Sequence, residues 1–343
     1  MKMIRTRDAV GSVLCHDLTR IVRSEFKGAA FRKGHIIKNE DIPVLLSMGK
    51  EQIFVWEKTE GRVHEDEAAS RLDKICRGLN IRAAGPTEGK IEHFAAVNGV
   101  FCIDEDVVNK INEIEGLVIV TRHNYQAVKM SEKLAGMKAI PLVIDEEKLY
   151  SAEKIAKKPL LNVMPFKLKN AGIIVTGSEV EKGLIKDTFS PVVAEKLESY
   201  GISVASLSYP GDDSKKIAAE IKKVKDAGAD FIICTGGMSV DPDDNTPGAI
   251  KASGVRIVHY GAPVMPGAMF MLGYFDNADG SAGIPVAGLP GCVMFAGVTI
   301  FDIFLPRIAA GIEITKKDFT RLWQGGLCLN CEKCNYPVCP FGK

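Results

Sequence analysis

The sequence carries no excess charge of either sign: 44 Lys and Arg stand against 43 Asp and Glu. A global basic field suited to nucleic acid is therefore excluded, and so is an acidic tail. The opening residues Met1-Lys2-Met3-Ile4-Arg5 lack the apolar core of a signal peptide. The longest apolar run, 286–305, is broken by Pro290, Gly291 and Asp302, so no membrane span is expected. Cytoplasm is the expected location. No internal repeat or low-complexity stretch is present. The six histidines, His16, His35, His64, His93, His123 and His259, are isolated, and none pairs with another at ligand spacing. The nine cysteines are odd in number and come without a secretion signal, which argues against a disulfide framework.

What is present is a chain of 343 residues with 46% hydrophobic and 25% charged residues, an ordinary globular composition. Four segments are expected. Residues 1–84 read as a small β-rich or α+β domain, with a helix at 39–48 and another at 64–80. Ala84-Gly85-Pro86 reads as a hinge. Residues 85–166 read as a second α+β unit and connector, with strands at 101–103 and 117–120, helices at 104–113 and 124–135, and a connecting stretch at 151–166. Residues 167–318 read as an α/β domain, and 319–343 as a cysteine-rich tail.

The third segment is the clearest. Short apolar strands at 171–175, 202–207, 231–234, 255–258 and 284–289 alternate with helical patterns. Ser190-Pro191 provides a helix start, and Asp213-Ser214 opens a helix whose Ile217, Ala218, Ile221 and Val224 share one face. Residues 293–305 read as a buried helix. This alternation predicts a mostly parallel, three-layer sheet domain preceded by a mixed α+β region.

Three loops follow strands in this segment. They are Thr176-Gly177-Ser178-Glu179, then Thr235-Gly236-Gly237-Met238-Ser239-Val240-Asp241-Pro242-Asp243-Asp244-Asn245-Thr246-Pro247, then Leu289-Pro290-Gly291-Cys292. Taken singly, each is an ordinary turn, and Asp-Pro-Asp-Asp is more often a solvated turn than a metal site. Together they sit at the carboxyl ends of strands, where open parallel sheets bind ligands. Glycines let backbone amides approach an anion, and the carboxylates can hold a divalent cation on phosphate oxygens.

These loops resemble the molybdopterin-binding domain shared by molybdopterin adenylyltransferases and molybdotransferases. Residues 236–249 align without gaps to the adenylyltransferase loop G-G-T-G-x-T-P-R-D-x-T-P-E-A, with Asp244, Thr246 and Pro247 on D-x-T-P. Gly237-Met238-Ser239-Val240 is similar to the molybdotransferase G-G-V-S-V, residues 176–179 to T-G-D-E-L, and Leu289-Pro290-Gly291 to L-P-G-N-P. Asp187 matches the acidic residue before the following helix. Departures are Ser178 for Asp, Cys292-Val293 for N-P, and Asp243 for Arg.

The resemblance implies that Thr176, Gly177, Ser178, Gly236, Gly237, Met238, Ser239, Thr246, Pro290 and Gly291 bind molybdopterin or its adenylated form. Asp244, Asp187 and Glu179 would be catalytic, and Asp241, Asp243 and Asp244 would hold Mg²⁺. The leading expectation is a molybdotransferase-like transferase of molybdenum cofactor biosynthesis that inserts molybdate into adenylated molybdopterin. The alternatives are a non-catalytic carrier or sensor serving a molybdoenzyme, and a nucleotide pyrophosphatase of the competence-damage-inducible type. A molybdoenzyme or cofactor-biosynthesis protein is the expected partner, and a homo-oligomer the expected assembly.

The tail has its own signal, Cys328-x2-Cys331-x2-Cys334-x4-Cys339-Pro340. Four thiols within twelve residues supply a complete ligand set for zinc or for an iron–sulfur cluster. The spacing is close to the bacterial ferredoxin run, with one extra residue in the last gap.

Overall fold

Along the strand Asn170–Val175, Ala171, Ile173 and Val175 enter one buried cluster, whereas Ile174 enters another. The strand Phe231–Thr235 divides in the same way, Phe231 and Ile233 to one side and Ile232 and Cys234 to the other. Side chains alternate across a strand, so a run that is apolar at every position must be covered on both faces. Helices Phe189–Glu198 and Ile300–Ala309 supply Val193, Leu197, Phe301 and Phe304 to one cluster. Helices Ser214–Asp226 and Thr246–Ala252 supply Ile217, Ile221, Val224, Ala249 and Ile250 to the other. The result is the expected three-layer α/β arrangement.

The computed structural model describes residues 2–22, 26–55, 60–239 and 244–343. The chain divides into two compact units: residues 1–97, 101–124 and 129–163, and residues 98–100, 125–128 and 164–343.

In the second unit, six strands lie in the order Ser203–Ser208, Asn170–Val175, Phe231–Thr235, Ala282–Leu289, Met271–Asp276 and Arg256–Tyr260. The first four run parallel. Met271–Asp276 pairs antiparallel with Ala282–Leu289 and with Arg256–Tyr260. The helix expected at 293–305 is shorter and later. Gly291–Met294 is a single 3-10 turn, and the helix proper starts at Ile300, where Thr299 and Asp302 form a capping box.

The segment 319–343 packs onto this unit. Phe341 is buried in the same cluster as Phe304 and Phe319, with Tyr336, Cys328 and Cys339 against it. Hydrogen bonds from Met265 N to Gly326 O (2.8 Å) and from Cys328 N to Met265 O (2.8 Å) fix its start.

In the first unit, strands Ile81–Thr87, Lys90–Ala95, Lys133–Ala139 and Leu117–Thr121 make a four-stranded antiparallel sheet in that order, and helix Glu65–Cys76 packs on it. A separate cluster gathers Leu14, Leu18, Ile37, Leu45 and Ile53. Helices Asp41–Ser47 and Glu105–Asn112 lie where expected.

Three expectations fail in this half of the sequence. The hinge at 84–86 lies inside a strand, where Ala84 pairs with Glu92. The helix at 124–135 is instead two strands in separate sheets, Ala127–Val128 and Lys133–Ala139, the latter completed by ladders on both sides. The connector at 151–166 contains the end of helix Glu146–Ile155 and the strand Leu161–Pro165. Among the described residues no helix is long and apolar enough to cross a membrane.

Candidate functional site

The parallel strands end on one edge of the sheet, and their loops enclose a cavity of about 710 Å³. Thr176, Gly177, Ser178 and Glu179 line it from the first loop, Gly236, Gly237, Asp244 and Asn245 from the second, and Asp187 from the chain before helix Phe189–Glu198. Residues separated by nearly seventy positions therefore meet as the sequence predicts. The volume lies in the range of small-molecule sites.

The two loops are pressed together. Gly236 and Gly237 have φ of +85° and +52°. A Cβ on Gly236 would stand 2.5 Å from the Thr176 carbonyl oxygen, and one on Gly237 would stand 2.9 Å from Thr246 Oγ1. These glycines are needed for backbone conformation and for loop-to-loop approach, before any ligand is considered. Thr176 and Thr246 are both buried, and the Thr176 hydroxyl donates to Thr235 O at 3.1 Å.

The carboxylates divide by role. Asp244 Oδ2 accepts the Ser239 amide at 2.8 Å. Asp187 is more fully engaged. It accepts the amides of Phe189 (2.8 Å) and Ser190 (3.0 Å), the Ser190 hydroxyl, and the Tyr209 hydroxyl at 3.1 Å. Burial pushes the Asp187 carboxyl up, but these hydrogen bonds outweigh it and hold it below the usual carboxylate range. The helix start read at Ser190-Pro191 is thus set by Asp187, which caps the first turn one step earlier. Glu179 lines the cavity on the first loop.

The other expected residues fall differently. Met238 is buried, packs on Gly288, and accepts the Tyr260 hydroxyl on its carbonyl at 2.9 Å. Its side chain is core and does not line the cavity. Pro290 precedes the 3-10 turn Gly291–Met294, and from that turn it is Met294, not Pro290 or Gly291, that lines the cavity. Asp241 and Asp243 lie outside the described residues. Among the described residues, no group of three or more His, Cys, Asp or Glu side chains is assembled as a ready single-ion site. Cys292 is half-buried, and burial pushes its thiol up.

The lining residues that were missed include Asp212, Lys186 and Asn245. Asp212 Oδ2 accepts the Ser178 amide at 2.7 Å, and Asn245 Nδ2 donates to Asp212 O at 3.2 Å. The signal for Asp212 was available, since it follows strand Ser203–Ser208 at the same sheet edge. Lys186 brings a cation to a cavity lined by Glu179, Asp187, Asp212 and Asp244.

The four tail cysteines line a second cavity, of about 240 Å³, against residues 295–298.

Comparison with known proteins agrees with the loops. A family model described as "Probable molybdopterin binding domain" matches residues 172–310, and one described as "Domain of unknown function (DUF8806)" matches residues 3–57. A CinA-like protein of Mycobacterium avium is 37% identical over 76 residues, which is 22% of this chain and 18% of the relative. A CinA-like protein of Mycobacterium leprae is 36% identical over the same length and shares. The match thus spans less than a fifth of these relatives. Among solved structures, the protein CinA from Thermoplasma acidophilum gives a TM-score of 0.34 at 19% identity, covering 41% of this chain and 98% of the other. The molybdopterin biosynthesis enzyme MoaB from Thermus thermophilus gives 0.33 at 18%, covering 41% and 91%. The segment 172–310, rather than the whole chain, is what is similar to the molybdopterin-binding domain family.

Proposed function

We propose that this chain binds molybdopterin, or its adenylated form, in the cavity of about 710 Å³ at the carboxyl edge of the sheet. The observation that carries this reading is the meeting of residues 176–179, Gly236, Gly237, Asp244, Asn245 and Asp187 around one space, within the segment that matches the family. The phosphate end of the ligand would lie by the glycine-bearing turns, with Lys186 as its cation.

The charge balance points to a divalent ion. Among the described residues, four carboxylates and one lysine line the cavity, so a bare phosphate would enter a negative field. Mg²⁺ is commonly held by one or two carboxylates together with substrate phosphates, and a prebuilt protein cage is not required. Glu179 and Asp244 are the described carboxylates that would hold it, joined by Asp241 and Asp243 from the same loop. Bound there, Mg²⁺ would act as a Lewis acid and charge template on the phosphates. The chain's own part is orientation: Asp212 and Asp187 fix the first loop and the helix start, and Asp244 accepts the Ser239 amide.

On this reading the activity is molybdotransferase-like, with molybdate as co-substrate and a molybdoenzyme or cofactor-biosynthesis protein as recipient. Two other readings have support. The full engagement of Asp187 leaves no free acid or base at that position, which suits a carrier. The CinA-like relatives suit cleavage of nucleotide pyrophosphates. Extraction of the purified protein, oxidation and pterin fluorescence test the binding. Turnover with adenylated molybdopterin plus molybdate is expected, with nucleotide pyrophosphates unreacted. Pterin binding without turnover would leave the carrier. Cleavage of simple nucleotide pyrophosphates with no pterin affinity would overturn the proposal.

A further inference from the structure

Residues 328–343 contain no helix or strand. Yet this stretch is fixed at both ends. Its start hydrogen-bonds to Met265, Gly342 N donates to Gly325 O at 3.0 Å, and Phe341 is buried in the main core. Between these anchors, Tyr336 Oη donates to Asp302 O at 3.2 Å. A chain held in one path without a ladder or helix of its own needs another source of order, and a metal centre commonly supplies it.

The cysteines are placed for that role. All four line one cavity of about 240 Å³. Cys331 and Cys334 are exposed, Cys328 and Cys339 are half-buried, and none is in a disulfide. Cys334 lies beside Gly297, where an added Cβ would stand 4.0 Å from the cysteine Sγ. The opposite wall, residues 295–298, is itself held in place. Lys196 Nζ donates to Gly297 O at 3.1 Å and pairs with Asp302, and Thr299 caps the next helix.

We propose that Cys328, Cys331, Cys334 and Cys339 hold an iron–sulfur cluster in the cavity that all four line. A single zinc ion, with Zn–S bonds of about 2.3 Å, requires four sulfurs drawn around one point. Here no three of the four cysteines are gathered around one point, although all four line one cavity. A polynuclear core presents its thiolate positions at the corners of a larger body, so its ligands need share only one cavity and not one point. The spacing C-x2-C-x2-C followed by Cys339-Pro340 is close to the run that binds such clusters, and the longer last gap includes Tyr336, which turns inward to Asp302. Leu327, Leu329 and Phe295, all exposed, line the same cavity.

The location gives the cluster a neighbour. Met294 lines the larger cavity, and the four residues after it line the cysteine cavity. One short segment therefore forms a wall of both.

The test uses the full chain, loaded anaerobically with ferrous iron and sulfide and freed of excess by gel filtration. Iron and sulfide are expected in near-equal amounts, with a visible absorption band that bleaches on reduction. Cys331→Ser combined with Cys334→Ser should lower bound iron at least about tenfold, whereas Cys102→Ser should not change it. Both substituted cysteines are exposed, so the melting temperature of the unloaded chain should be preserved. If that double variant does not fold, alkylation of the unsubstituted chain gives the answer by peptide mass: all four thiols should be protected after loading and reactive before it. Three results would overturn the proposal: one zinc per chain from metal-replete preparation with no iron uptake, iron retained in the double variant, or loading that leaves the four thiols reactive.

Discussion

The hydroxyl of Thr176 lies 3.1 Å from that of Thr246. This contact joins the first loop of the cavity to the start of helix Thr246–Ala252 across seventy residues. Thr176 already donates to Thr235 O, so Thr246 is the donor between the two. Thr246→Val keeps the shape and removes the proton, leaving a buried oxygen of Thr176 short of a partner. The expected loss is about 1–2 kcal/mol of stability, read as a lower urea midpoint with an unchanged slope. Thr246→Ser should retain most of it. Equal midpoints for the valine and serine variants would show that the contact is incidental.

Gly236 and Gly237 should differ in a measurable way. An alanine at Gly237 adopts a left-handed backbone and meets the Thr246 hydroxyl at 2.9 Å, whereas one at Gly236 meets the Thr176 carbonyl, which is backbone, at 2.5 Å. Left-handed backbone alone costs an L-residue about 1–2 kcal/mol. Gly236→Ala should therefore destabilise more than Gly237→Ala in thermal melts. Gly237→Val should abolish pterin binding, because its branched side chain also distorts the loop that faces the ligand. Normal pterin affinity in that variant would reduce this glycine to a turn residue.

Asp244 separates charge from hydrogen bonding. Its carboxylate accepts the Ser239 amide and lines the cavity, and it contributes little to the core. Asp244→Asn keeps an acceptor for that amide and removes the charge, whereas Asp244→Ala removes both. If the carboxylate serves a phosphate-bridging cation, both variants should lose ligand affinity at least about tenfold in the presence of Mg²⁺ while melting close to the parent. Binding retained in Asn but lost in Ala would assign Asp244 to loop geometry alone.

Much of the second unit was legible because its sequence states each element locally. Asp213 accepts the amides of Lys215 and Lys216, as a side chain before an amphipathic helix should, and Ile217, Ile221 and Val224 are buried. The strands at 171–175 and 231–234 are apolar at successive positions and bounded by glycine-bearing loops. The loops themselves were legible as a set, because strand ends converge on one edge of a parallel sheet. What was missed depends on distance. The need for Gly236 arises from a carbonyl sixty residues away, and Lys186, although it adjoins Asp187, belongs to none of the three strand-end loops. The strand Met271–Asp276 escaped notice because it pairs antiparallel at the far side of the sheet. Residues 124–135 were read as helix from spacing alone. Lys133–Ala139 takes its order from neighbours on both sides, and that information lies elsewhere in the chain. The late start of helix Ile300–Ala309 was legible in principle, since Thr299-x-x-Asp302 is a capping box in plain sequence.

The last prediction concerns acid stability and rests on Arg307, a buried cation in helix Ile300–Ala309. Its guanidinium pairs with Asp318 at 2.8 Å, donates to Glu313 O at 2.9 Å, and stacks on the Tyr125 ring at 4.0 Å. Burial pushes the Asp318 carboxyl up, but the Arg307 guanidinium and the Thr315 amide and hydroxyl outweigh it and hold the carboxyl down at about 2, against an ordinary 3.8. A depressed carboxyl contributes stability that is fully present above its unfolded value and is lost as pH falls through its folded value. The contribution is therefore complete above about pH 4 and fades towards about pH 2. Its size is about 2 kcal/mol, and Asp318 is only 12% exposed, so solvent screening removes little of it. Asp318→Asn should lower the urea midpoint at neutral pH by that amount. The gap between variant and parent should then close as pH falls from about 4 to about 2. Loss of the partner also leaves Arg307 charged and buried, so Asp318→Asn combined with Arg307→Met should recover part of the stability. A gap that stays constant over this pH range, or no gap at neutral pH, would show that the pair does not stabilise the fold.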